Sequence, residues 1–187
     1  MQPIRYLTAQ LRTFADENHY LFSLNDLRSL FPSLEHNACK ALLARSVRSG
    51  LLMRVCQGVY LYPFVSYPKG LVLFHTAAKF RPQHFNYLSL ETVLSDVGII
   101  SQMPTHWITV MSSGRSSVVR CGDFGTIEYI HTKKKPANLI GQLQYDSRCR
   151  LWRASPSLAL RDLQTTKRNT DLVDWEVARE FIQQTGQ

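Results

Sequence analysis

No stretch of the 187-residue chain is apolar for long enough to cross a bilayer. The longest runs, such as Leu71–Phe74 and Ile99–Ile100, fall far short of the roughly 20 residues that a spanning helix needs. The N-terminus lacks the charged, apolar and small-residue succession of a secretory signal, so the cytoplasm is the expected compartment. Cysteine is sparse: Cys39, Cys56, Cys121 and Cys149 form no C-x-x-C pair and have no histidine at zinc-finger spacing. Free thiols, buried or half-buried, are expected. There is no internal repeat, no low-complexity segment, no G-x-S-x-G elbow and no phosphate-binding glycine loop. His75, His84, His106 and His131 make no H-x-H or H-x-x-x-H pair, so structural or exposed roles are expected for them.

Two short matches to catalytic motifs also fail. Asp123-Phe124-Gly125 resembles the metal-binding tripeptide of protein kinases, but the chain has no glycine-rich loop, H-R-D or V-A-I-K to accompany it. Asp123 and Glu128 could serve a metal nuclease, yet Glu128 is followed by Tyr129-Ile130-His131 and the E-x-K is missing. No catalytic constellation survives, and no cofactor or metal is expected.

What is present is basic. The net charge is +8 and the pI about 9.5, which favours an anionic partner. The excess is equal in both parts, but denser in residues 1–70, where eight Lys and Arg stand against four Asp and Glu. With 44% hydrophobic residues the chain can build an ordinary core, as one large domain or two small ones.

In the N-terminal part, Ile4, Leu7, Leu11 and Phe14 line one face of a helix predicted over Ile4–Asn18. His19–Phe22 breaks the pattern. Ser23 reads as an N-cap with Asp26 in the capping-box position, opening a short helix over Leu24–Leu30 that stops before Pro32. Ser33 can cap a third helix reaching Ser49, with Gly50 in the C′ position. On this helix Cys39, Leu42, Leu43 and Val47 should face inward. His36, Asn37, Lys40, Ala44 and Arg48 fall on the other side, a polar and basic face suited to a major groove. Two β-prone runs, Leu51–Val55 and Val59–Pro63, joined at Cys56-Gln57-Gly58, predict a hairpin with Arg54 and Gln57 near its tip. The succession is that of a winged helix-turn-helix. A helical domain with a hairpin that binds protein would share it.

After the proline-flanked crossover Phe64–Pro68 the pattern is mixed. Leu71–Lys79 is a strand or short helix. A helix over Ser89–Val97 capped by Ser89, strands at His106–Met111, Ser117–Cys121 and Thr126–Thr132, and helices over Ser157–Leu163 and Asp174–Gln184 are predicted. In the last helix Trp175, Val177, Ala178, Phe181 and Ile182 are the packing candidates. Lys133-Lys134-Lys135 reads as a solvated loop, with a phosphate contact as the alternative. The expected fold class is α+β. A winged helix-turn-helix in residues 1–65 precedes a mixed α/β domain in residues 66–187.

Four segments together resemble the AbiEi family of antitoxins and transcriptional regulators. They are Gln57-Gly58-Val59-Tyr60, Tyr87–Glu91 with Gly98-Ile99-Ile100, Phe124–His131, and Ala154–Leu163, which is similar to the family's A-x-P-x-x-A-L-x-D-L helix. The resemblance implies a non-enzymatic type IV antitoxin whose winged helix represses its own operon by binding promoter repeats in double-stranded DNA. It implies a second domain, over 66–187, that counteracts a co-encoded nucleotidyltransferase toxin without requiring a stable complex, often in phage defence by abortive infection. Ser157 stands where the family commonly has an acid, and Lys40 and Arg45 stand where it is often more densely basic. The DNA-binding residues expected on this reading are Ser33, His36, Asn37, Lys40, Arg45, Arg48, Arg54 and Gln57. The alternatives are a stand-alone regulator whose second domain senses a ligand or partner, and a nucleic-acid enzyme.

Overall fold

The computed structural model describes residues 2–101 and 106–184. The chain is mixed α+β and forms two compact units, the first ending at Val72 and the second beginning at Leu73. The division therefore comes a few residues later than the expected one after residue 65. Among the described residues, no helix is long and apolar enough to cross a membrane.

The first unit begins with α1 (Pro3–Phe14), which carries proline in its first turn and buries Leu7 and Leu11. It ends at Phe14, not Asn18. The Asp16 carboxylate accepts the backbone N–H groups of Asn18 and His19, both at 2.7 Å, and this local turn takes the donors that a continuing helix would use. Phe14, expected on the inner face, is 52% exposed. The break at His19–Phe22 contains a strand that the pattern did not reveal, β1 (Leu21–Ser23).

Next is α2 (Leu24–Ser29), opened by a complete capping box. Ser23 Oγ accepts from the Asp26 N–H at 3.0 Å, and Asp26 Oδ2 accepts from the Ser23 N–H at 2.8 Å. Then α3 (His36–Arg48) buries Cys39, Leu42, Leu43 and Ser46, with Val47 half-buried. The helix closes through Ser49, and Gly50 follows, as expected. β2 (Met53–Cys56) and β3 (Val59–Leu61) form the hairpin, with Gln57-Gly58 as its turn. Gly58 adopts φ 80, a left-handed conformation that a side chain would strain. β3 lies between β1 and β2, antiparallel to both. Leu7, Leu11, Phe22, Leu27, Leu42 and Leu43 are central to one core beneath this sheet and the three helices.

The ambiguous segment is helical, α4 (Val72–Phe80), and all of it but Val72 belongs to the second unit. The sheet has six strands in the order β6-β7-β5-β4-β9-β8. These are β4 (Asn86–Leu88), β5 (Trp107–Ser112), β6 (Ser117–Arg120), β7 (Thr126–His131), β8 (Leu143–Asp146) and β9 (Leu151–Ala154). β5 runs parallel to β7 and β4 parallel to β9, while the other neighbours are antiparallel. The helices α5 (Glu91–Asp96), α6 (Pro156–Thr165) and α7 (Trp175–Gln184) complete the unit.

Ser155 caps α6, accepting from the Leu158 N–H at 3.2 Å. Ser89 does not cap α5. Leu90 holds that position at φ 58, and Ser89 turns inward instead. Of the candidates on α7, Ala178 is buried, Val177 and Phe181 are half-buried, and Trp175 and Ile182 are exposed.

Candidate nucleic-acid interface

The core-facing residues of α3 fix what its other side presents. At about 100° per residue, Asn37, Ala41, Ala44 and Arg48 fall opposite the buried stripe. Lys40 and Arg45 flank them on either side. All six are exposed, as are His36 and Ala38. Ala41 and Ala44 on this face, with Ala38 beside it, keep the helix surface low, so a groove wall could approach the backbone while the longer polar side chains reach past it. Ala44 is expected on the outward side from the sequence, whereas Ala38 and Ala41 are seen there only in the structure. Among the described residues, no ion pair neutralises Lys40, Arg45 or Arg48.

Ser33 does not cap this helix. Leu34 N–H bonds to Phe31 O at 3.0 Å, so residues 31–34 form a turn, and the first helical bond runs from Cys39 N–H to Glu35 O. Glu35 takes the N-cap position without a side-chain bond, and Ser33 is exposed in the preceding turn.

The hairpin brings Arg54 opposite Tyr60, with Gln57 exposed at the turn. Arg54 Nε donates to Cys56 O at 3.4 Å, which lays part of the guanidinium along its own strand. The turn is anchored to α2, since the Leu24 N–H donates to Gly58 O at 2.8 Å. Hairpin and α2 are thereby held in one piece with the capping box.

The second unit gathers two polar centres, one around a buried carboxylate and one half-buried. Asp162, on α6, is fully buried. Its Oδ2 accepts from Ser89 Oγ at 2.7 Å and Tyr87 OH at 3.1 Å, and its Oδ1 from Lys134 Nζ at 2.6 Å. Lys134 thus points inward rather than standing in a solvated run. Burial, reinforced by the Asp162 charge, pushes the Tyr87 phenol well above its ordinary range. The segments Tyr87–Glu91 and Ala154–Leu163 meet at this carboxylate. In the second centre, Arg168 grips Glu128 with both terminal nitrogens, at 2.9 and 3.0 Å, and its Nε donates to Glu91. Trp107 Nε1 also donates to Glu128, at 3.2 Å. Glu128 is therefore an arginine and indole partner, and Asp123 stands exposed in the short turn before β7.

Among the described residues, no group of three or more His, Cys, Asp or Glu is placed to hold a metal ion. The four cysteines are buried and none is in a disulfide, and burial with the nearby Asp146 raises the Cys149 thiol to about 11. His75 is buried, donates Nε2–H to Arg148 O at 2.7 Å, and is held below its usual pKa by burial. His84, His106 and His131 are exposed.

Comparison with protein-family models and with curated proteins finds no match to this chain.

Proposed function

We propose that the first unit is a winged helix-turn-helix that binds double-stranded DNA. In this reading α2 and α3 are the helix-turn-helix, and the β2–β3 hairpin is the wing. The observation that carries it is the exposed face of α3, uncompensated in charge and low in profile at its centre, within the order α1-β1-α2-α3-β2-β3. His36, Asn37 and Lys40 read base edges. Arg45 and Arg48 meet phosphates, and Arg54 with Gln57 sets the wing on the backbone. Ser33 lies close to the start of α3 and contributes a hydroxyl to the nearest phosphate.

We further propose that the chain acts as an antitoxin of the AbiEi type, repressing its own operon and relieving a co-encoded nucleotidyltransferase toxin. This rests on the resemblance of its four segments, and two of them meeting at Asp162 supports it. The gene beside this one, expressed alone, is expected to arrest growth, and co-expression of the full chain to restore it. A neighbour that is harmless, or whose toxicity this chain leaves unchanged, overturns the antitoxin reading and favours a stand-alone regulator.

A further inference from the structure

A surface of the second unit has no part in that reading. The turn Ser113–Arg115, between β5 and β6, packs against residues 81–84 after α4. Arg81 is fixed there. Its guanidinium donates to the Arg115 carbonyl at 2.6 Å and to Ser117 Oγ at 2.7 Å, and its Cζ lies 4.2 Å from the centre of the Tyr129 ring. Gly114 permits the close packing, for a Cβ on it would stand 3.2 Å from both Arg81 and His84. A carbonyl can only accept, so His131 donates Nδ1–H to Gly114 O at 2.9 Å, and Nε2 is its remaining ring nitrogen. Arg81, His84, Arg115 and His131 line a hollow of about 440 Å³ with no carboxylate in its wall. Among the described residues, no ion pair engages Arg81 or Arg115.

A second hollow shares Arg81 and His84 with the first and continues to Phe85, Tyr145 and Trp152. Tyr145 and Trp152 are cross-strand partners on β8 and β9, with rings 5.5 Å apart and edge to face, yet they are 51% and 45% exposed. Ordered aromatic rings left open to water, beside fixed cations, are what an unpaired base and its phosphate require. A duplex keeps its base faces stacked within the helix and offers such rings nothing to stack on. A free anion would need only the first hollow.

We propose that this surface binds single-stranded nucleic acid, holding a phosphate among Arg81, His84, Arg115 and His131 and stacking an unpaired base on Trp152 and Tyr145. The assignment is independent of α3. It is tested on the full chain with a short fluorescein-labelled single strand of mixed sequence, followed by anisotropy and by tryptophan quenching. Trp152→Ala is expected to weaken binding by about 5- to 100-fold, and Trp152→Phe to restore most of it. Arg115→Gln is expected to reduce the salt slope by about 0.7, the value for one phosphate contact on a single strand. Both side chains are exposed, so an unchanged unfolding midpoint verifies that the variants fold. The assignment is overturned by absence of binding, by binding that neither variant alters, by a matched duplex that binds equally well through the same residues, or by a mononucleotide that displaces the strand at equal concentration.

Discussion

Asp162 has no access to solvent, and Lys134 and two hydroxyls meet its oxygens. Removing one member of such a buried group leaves the others desolvated and unpaired, which costs more than the group contributes intact. Asp162→Ala is therefore expected to lower the stability of the chain by about 3–5 kcal/mol in urea unfolding. Asp162→Asn, which keeps the shape and an acceptor, should lose less. Equal stability of Asp162→Ala and the parent would show that the network is not needed for folding. These partners could not be read from spacing. Lys134 sits in a run that looks solvated, and the acids that Arg168 grips, Glu91 and Glu128, lie in α5 and β7, far from it along the chain. By contrast, the exposure of His36, Asn37, Lys40, Arg45, Arg48 and Gln57 was legible, because helical periodicity and a glycine turn act locally.

Among the elements, those bounded by local chemistry were found and those defined by partners were not. The capping box at Ser23 and Asp26, the Gly50 stop, the hairpin turn at Gln57-Gly58 and the start of α6, one residue before the expected Ser157, all lie within one residue of where the sequence indicated. β1, β4, β8 and β9 are three or four residues long and carry too little alternation to stand out. Their neighbours in the sheet define them. The Asp16 turn and the turn after Pro32 shifted two helix boundaries for the same reason, since a side-chain or turn bond competes locally with the helix. The capping box also orients α2 against the hairpin, through the Leu24 to Gly58 bond. Ser23→Ala should cost about 1 kcal/mol, seen as a lowered unfolding midpoint. No change would mean that the Asp26 bond and the core hold α2 without the serine.

At the scale of the whole molecule, the α+β class was legible, and the six-stranded order of the second sheet was not. Its parallel pairs join strands with other elements between them, and only tertiary packing brings these together. The first unit presents cations on α3, while the second carries cations beside exposed rings. The proposed partners accordingly differ, duplex for the first surface and single strand for the second. The proposed duplex binding by α3 is tested by the affinity of the full chain for duplex DNA upstream of its own gene, titrated across salt concentration. Lys40→Ala should weaken specific binding by about 1–3 kcal/mol. The pair Arg45→Ala and Arg48→Ala should flatten the salt slope by about 2, close to 0.9 per phosphate contact. Unchanged affinity and slope in both variants, with folding intact, would contradict the assignment of α3 to the groove.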